Sequence, residues 1–240
     1  MGVSPFILKL RHGAHLTVAD EAVLARLAGS MERTERGDIM PQGAEMRSIV
    51  LVLQGWACHY KLLENGKRQI TSVFLPGDLC EPFGALPPFT DYSLGALTPV
   101  LLTRVAPSSI RDAVAASPRI EEALWWDLLL TDALRREHLV SLGRRSATER
   151  LGHFFCEVHL RLEMVGLTEN LSCEFPLTQV DLADVFGLSA VHVNRSIQEL
   201  RGLGLLTLRE RRMIIHDARA LRELSMFNPT YLPLHGTAGV

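Results

Sequence analysis

Apolar residues recur along the chain with two different periods, and the change of period divides it. From about Gly37 to Val105 short apolar runs are punctuated by glycines at 55, 66, 77, 84 and 95, and a spacing of eleven residues occurs three times. Ile49 to Leu53, Ala57 to Leu63, Gln69 to Leu75 and Val100 to Val105 have the length and composition of strands. Glu64-Asn65-Gly66-Lys67 carries the Asn-Gly signature of a two-residue hairpin turn, and Pro76-Gly77-Asp78 reads as another turn. Punctuated antiparallel strands of this length fit an N-terminal double-stranded β-helix, or jelly roll, with glycines at its corners and a pocket inside. Before it, Thr17 to Ala28 reads as a capped amphipathic helix lying on the outside.

After the roll the period becomes helical. Pro107 to Ala116 is a short helix, and Pro118 opens a long one from Arg119 to about Leu142. Its apolar residues, among them Ile120, Leu124, Leu128, Leu134, Leu139 and Val140, occupy more than one face. Such a helix buries one side on its own domain and the other on a second copy, so it is read as a dimerisation helix with Trp125 and Trp126 near the seam or the roll. A purely intramolecular helix is the alternative, because an apolar pattern does not name its partner. Gly143 is expected to break the helix, with a hinge at Leu142 to Arg145. Ser146 and Glu149 then form a capping box, and Leu151, Phe154, Phe155, Val158 and Leu162 make the next core stripe. The result is an α+β fold in three parts: a β-roll sensor-like domain over 1–118, the dimerisation helix and hinge over 119–143, and a winged helix-turn-helix domain over 144–240.

Leu177 to Leu206 carries the most chemistry. Thr178 is an N-cap with Asp181 three residues on, where a carboxylate answers the free N–H groups of the first turn. Gly187 ends that helix and Leu188 packs into the corner. Ser189 caps a second helix whose Val193, Ile197 and Leu200 must face the core, leaving Val191 and Arg195 outside with His192 and Asn194 on the flanks. An exposed valine beside an arginine suits a major groove, where arginine pairs with guanine O6 and N7 and an apolar side chain meets a thymine methyl. Behind it, Leu205 to Ile215 reads as a hairpin with a basic tip, whose arginines would lie along a phosphate backbone. Candidate DNA contacts are therefore Thr178, Gln179, Ser189, Val191, His192, Asn194, Arg195, Arg211 and Arg212. The alternative is an ordinary helical corner with a solvated outer face.

Charge and composition refine this picture. Ser189 to Arg212 holds five arginines against Glu199 and Glu210, a local excess of +3, whereas the whole chain is −2. Only the local excess bears on nucleic acid. The most apolar helical stretch, Ala123 to Leu130, contains Asp127 and is far too short to span a bilayer, so no membrane partner is expected. Four scattered cysteines without CxxC spacing fit a reducing cytoplasm.

Roll, long helix, hinge and winged helix-turn-helix in this order resemble the Crp/Fnr family of bacterial transcription regulators over nearly the whole chain. Three segments carry the resemblance: LVLQGWACHYKLLENGKRQITSVFLPGD, GRRSATERLGHFF and LTQVDLADVFGLSAVHVNRSIQELRGLGLL. It implies a homodimer on a roughly palindromic DNA site, with RNA polymerase and an unidentified small-molecule effector as further partners, and no catalysis. Arg195 matches the family's base-contacting arginine, but Val191 stands where its glutamate is usual, which implies a different binding site. The family's cyclic-nucleotide binders place a glutamate and an Arg-Ser pair after the Pro-Gly-Asp turn. Here Pro82 and Tyr92-Ser93 fill those places, so cyclic AMP is not expected, although Glu81 sits one residue from the glutamate position. No cysteine precedes Cys58, which argues against the iron–sulfur cluster of the family's oxygen sensors. Effector-pocket candidates are Cys80, Glu81, Tyr92 and Ser93. No cofactor or metal is expected: Cys80 reads as a buried structural thiol more readily than as a haem ligand or oxidant sensor. His12 and His15 sit in an N-terminal tail without a nearby partner, and His59 stands alone in its strand, each solvated or singly hydrogen-bonded. The competing reading, a cupin-like metal-dependent enzyme, needs clustered ligands, and the roll offers only His59.

Overall fold

The computed structural model describes residues 3–81 and 89–232. Two helices open the chain, α1 (Pro5–Leu10) and α2 (Val18–Ala25). The second is the expected one, closed by a capping box between Thr17 and Asp20. The first corrects the expectation of a tail. Phe6, Ile7 and Leu10 are buried beneath the roll, and Lys9 Nζ lies buried between Asp127 and Asp78, 2.6 Å from the latter. His12 Nε2 lies 3.2 Å from the Met164 carbonyl, so this histidine does have a neighbour.

Among the described residues, seven strands build the roll: β1 (Met31–Thr34), β2 (Gly37–Met40), β3 (Ile49–Gln54), β4 (Ala57–Leu62), β5 (Arg68–Phe74), β6 (Ser93–Ala96) and β7 (Val100–Val105). They form two antiparallel sheets, ordered β1-β7-β3 and β2-β6-β4-β5. Val50, Val52, Phe74, Leu94 and Leu102 fill the space between them. The short strands β1, β2 and β6 escaped the apolar pattern: β1 is largely exposed, and β6 is buried throughout and does not alternate. Among the corner glycines, Gly55 has φ +77°, and a Cβ there would lie 2.2 Å from the Pro99 carbonyl oxygen.

A bulge decides what the outer face of the second sheet meets. Pairing passes from His59–Ser72 to Tyr60–Ile70 and leaves Thr71 extra, so the alternation of β5 flips. Phe74 consequently belongs to the interior, whereas Ile70 joins Trp56, Cys58 and Tyr60 on the outside.

The helical half begins with α3 (Pro107–Ala116) and α4 (Pro118–Arg144), followed by α5 (Ala147–Met164). Gly143 does not break α4. The helix runs one residue past it, and the chain turns at Arg145, in extended conformation. An interior glycine costs only about 1 kcal/mol, and the guanidinium of Arg145 reaches back to Ser141 Oγ (2.8 Å) and Glu137 (2.6 Å) across the helix end. The rest comprises β8 (Thr168–Glu169), β9 (Ser172–Glu174), α6 (Gln179–Phe186), α7 (Ala190–Gly202), β10 (Leu206–Arg209), β11 (Arg212–Ile215), α8 (Ala218–Leu224) and a short 3₁₀ turn at Pro229–Tyr231. The expected hairpin, β10 and β11, is widened by β9 and β8 into a four-stranded sheet.

The outer face of the roll and the C-terminal helices share one apolar cluster. Trp56 meets Phe175 edge to face at 5.5 Å, and Phe154, Phe155 and Phe186 continue the cluster. Asp78, of the Pro-Gly-Asp turn, bonds both Lys9 and Arg161 of α5, the latter at 2.6 Å. Taking these charges out of water offsets much of their mutual attraction, so such a network adds little net stability.

Candidate nucleic-acid interface

The helix-turn-helix forms as its capping residues dictate. Thr178 Oγ1 accepts the Asp181 N–H at 3.1 Å and donates to Asp181 Oδ2 at 2.7 Å, opening α6. Gly187, at φ +63°, closes it in the left-handed conformation that glycine adopts most cheaply. Ser189 Oγ accepts the His192 N–H at 3.2 Å and opens α7. Val193 and Leu200 are fully buried and Ile197 nearly so, which pins the inner face of α7.

The opposite face is free. Val191 is 72% exposed, and Ser189, His192, Asn194 and Arg195 are exposed around it. Thr178 and Gln179 are exposed at the start of α6. Glu199, on the same helix, accepts the Thr148 hydroxyl of α5 at 2.6 Å, so it orients α7 and does not belong to this row.

The wing separates its arginines. Glu210 and Arg211 both take positive φ, 52° and 59°, in the turn between β10 and β11. Both values are what a two-residue type I′ hairpin turn requires, although neither residue is the glycine or asparagine that adopts them most cheaply. Arg211 is exposed and forms no ion pair among the described residues. Arg212 instead meets Glu169 at 3.2 Å and Ser172 at 3.1 Å, tying the wing to β8 and β9.

Sequence reasoning missed how this unit is held. The Asp181 carboxylate has no exposure and accepts from Arg36 at 2.6 Å and Arg68 at 3.3 Å, both on the roll. Burial pushes its pKa up, but hydrogen bonds from Arg36 and Thr178 outweigh that and hold it below the ordinary carboxylate range. Arg68 also bonds Asp184 at 2.7 Å, and the Gln69 amide donates to the Val185 carbonyl at 2.9 Å. No local signal marks Asp181 as more than a cap, because its partners lie more than a hundred residues earlier in the chain.

Two family models match the chain: a Crp-like helix-turn-helix domain over 149–224 and a cyclic nucleotide-binding domain over 35–117. The nitrogen fixation regulation protein FixK of Rhizobium meliloti is 31% identical over 191 residues, spanning 78% of this chain and 82% of its own. The chain belongs to the Crp/Fnr family of transcription regulators. FixK of Azorhizobium caulinodans is 28% identical over 204 residues, 84% of this chain and 81% of that protein. The transcriptional activator protein FnrL of Cereibacter sphaeroides is 26% identical over 75% of this chain and 74% of its own. Among solved structures, FixK2 from Bradyrhizobium japonicum superposes with a TM-score of 0.71 at 24% identity, covering 81% of this chain and 96% of that one. The Crp/Fnr assignment makes this a helix-turn-helix, DNA-binding regulator and not an enzyme, and nothing supports the cupin-like alternative. No described helix is long and apolar enough to cross a membrane.

In this Crp/Fnr regulator the roll interior departs from a cyclic-nucleotide receptor. Tyr92 stacks on His59 with ring centroids 3.8 Å apart, and Phe74 meets that histidine edge to face at 4.6 Å. His59 is thus not the solvated histidine expected. Burial lowers its pKa to about 3, and its Nε2 has no partner among the described residues. Ser93 Oγ accepts the Gln42 N–H at 3.0 Å. Glu81 accepts the Val50 N–H at 2.7 Å, and burial raises its pKa to about 7. Tyr92 and Ser93 offer no cation to a cyclic phosphate, so these two described positions do not fit one. Pro82 lies outside the described residues. All four cysteines are buried, and burial raises every thiol: Cys58 and Cys156 to about 12, Cys173 to about 11, and Cys80 well above its ordinary value. None is poised as a thiolate.

Proposed function

We propose that this regulator acts as a homodimer in the cytoplasm and reads a roughly palindromic DNA site by laying α7 in the major groove. The observation that carries the reading is the outward row Val191, His192, Asn194 and Arg195 at the N-terminal end of α7, opposite a fully packed inner face. Arg195 pairs with a guanine, Val191 touches a thymine methyl, and Ser189, Thr178 and Gln179 meet the flanking backbone or base edges. Arg211 supplies the wing's phosphate contact. Arg212 joins it only by leaving Glu169.

Dimerisation is supported by α4. Trp125, Leu129, Leu139 and Val140 are exposed along it, while Ala123, Leu124, Trp126 and Leu130 are buried on the protomer. Trp125, Leu129, Asp132, Arg136 and Leu139 follow the alternating four-and-three spacing of a coiled-coil seam, and the Asp132–Arg136 pair at its centre can fix register. The roll serves this reading as a scaffold, because an effector entering among Cys80, Glu81, Tyr92 and Ser93 has to displace Tyr92 from His59. Contact with RNA polymerase belongs to the reading through the family and through no particular residue of this chain.

The test is selection from random duplexes at stated salt. Two inverted half-sites about 34 Å apart are expected. Arg195→Ala should weaken the selected site by about 1–3 kcal/mol and relax one base position, whereas Arg211→Ala should weaken all sequences alike and flatten the salt dependence. Failure to enrich any inverted repeat, or wild-type affinity of Arg195→Ala, overturns the reading.

A further inference from the structure

We propose that the cleft bounded by β5, α4, α5 and α6 binds a small organic anion, a carboxylate on a short apolar body, through Arg135 and His138. The cleft lies outside the roll, along the α4 residues Thr131, Leu134, Arg135, His138 and Ser141, with Ile70 to Phe74 opposite. It offers ≈ 50 Å³ of room for the centres of water-sized atoms within ≈ 650 Å³ of atom-free space that includes open solvent. One water centre needs on the order of 10–15 Å³, so that room suits about three or four heavy atoms, a carboxylate with one or two carbons. The mouth has room for more.

The lining sets the chemistry. Ile70, Leu134, Phe154, Val185 and Phe186 give apolar walls. His138 Nε2 is buried and has no hydrogen-bond partner among the described residues, its ring resting on Phe186 at 5.9 Å. Arg135, nearly one turn earlier on the same helix face, touches Ser72 Oγ at 3.3 Å, and no described carboxylate lies within ion-pair distance of it. Buried polar atoms are nearly always satisfied. Two nitrogen-bearing side chains of α4, Arg135 and His138, along one side of an apolar cleft therefore match an acceptor-rich ligand.

The acids in the cleft do not oppose it. Asp78 is taken by Lys9 and Arg161. Glu157 lies 3.6 Å from Arg161 and accepts the Tyr231 hydroxyl at 3.0 Å, and burial raises its pKa, which favours the neutral form. His153 is engaged with Tyr231 and lies 3.6 Å from Glu137. Burial first, and then Arg150 of α5, lower the pKa of His138. A bound carboxylate reverses that balance, since an opposite charge beside an imidazole favours its protonated form. Two walls come from the roll and α4 and two from the DNA-binding half. The anion thus binds the docked arrangement selectively, the condition for any shift between arrangements.

The experiment follows the His138 ring by NMR in the full-length protein, with sodium propionate against sodium chloride at equal ionic strength. A saturable rise of the His138 titration midpoint by about one unit is expected with propionate alone. Arg135→Gln, a change at an exposed side chain, should abolish the rise, and Leu134→Trp, which fills the apolar wall, should block it as well. Acetate and benzoate then report how much apolar body the mouth accepts. Equal midpoints in propionate and chloride, or the same rise in Arg135→Gln, overturn the assignment. The site's effect on DNA rests on the proposed function and is read separately, as a change in affinity for the selected duplex. A failed selection leaves the ring titration to decide the site.

Discussion

Removing Asp181 should cost the protein less than removing the two arginines that hold it. The carboxylate is fully buried at the start of α6, while Arg36 and Arg68 keep 47% and 29% of their side chains exposed. Deleting either arginine leaves the other in place, so each single variant should lose about 1 kcal/mol, the value of a charged hydrogen bond discounted for solvent exposure. Deleting both leaves a buried carboxylate answered only by Thr178, and an uncompensated buried charge costs roughly 3–5 kcal/mol. Asp181→Ala removes the charge itself and lets both guanidinium groups return to water. Its cost is the lost cap plus the pairs, about 2 kcal/mol. The order expected in urea unfolding, followed by far-UV circular dichroism, is therefore Arg36→Ala/Arg68→Ala worst, Asp181→Ala next, and either single arginine variant mildest. Adding Asp181→Ala to the double variant should restore stability. A double-variant cost equal to the sum of the singles refutes the reasoning, because contacts to one shared buried charge cannot be additive.

Other outcomes follow from the same geometry. Glu81→Gln keeps an acceptor for the Val50 N–H and removes the titration. The folded carboxyl titrates near 7, above its usual 4.5, so the wild type loses stability as pH rises between those values. The variant should gain roughly 3 kcal/mol on the wild type between pH 4.5 and 8, from about 2.5 pKa units at 1.36 kcal/mol each. A gain that does not change with pH in urea titrations counts against a buried neutral Glu81. Leu129→Glu, at an exposed position of the proposed seam, should shift sedimentation from dimer to monomer, and an intact dimer removes α4 from the interface. Val191→Glu should move base preference toward cytosine at one position in a repeated duplex selection, through acceptance from cytosine N4. An unchanged consensus places Val191 outside the groove. Gly55→Ala should cost several times more in thermal unfolding than Gly66→Ala. Both have positive φ, but only Gly55 lies against a carbonyl. Equal losses contradict that contact.

Local chemistry made much of the DNA-reading unit legible. Thr178, Asp181, Gly187 and Ser189 form their caps and turn from neighbours within a few residues, and the spacing of Val193, Ile197 and Leu200 settles which way Val191 and Arg195 point. Gly55, Gly66 and Gly77 located turns of the roll because their positive φ is a conformation that other residues resist, whereas Gly95 lies within β6. Gly143 misled for a related reason: glycine permits a break but does not impose one, and the tether from Arg145 to Ser141 and Glu137 decides where α4 ends.

Long-range pairing was out of reach. The strand β1 shows no apolar face, the helix α1 is short, and the bulge at Thr71 that turns Ile70 outward leaves no mark in the pattern. Asp181 shows the division within one residue. Its place three positions after Thr178 determines that it caps α6, since a hydrogen bond to a neighbouring backbone needs only local geometry. That it also joins the DNA-binding half to the roll depends on Arg36 and Arg68, brought to it from across the chain only when two apolar surfaces close around Trp56, Ile70 and Phe186. Hydrophobic burial is non-directional, so the pattern shows that such surfaces must be covered. Which surface covers which is settled only by the packed structure.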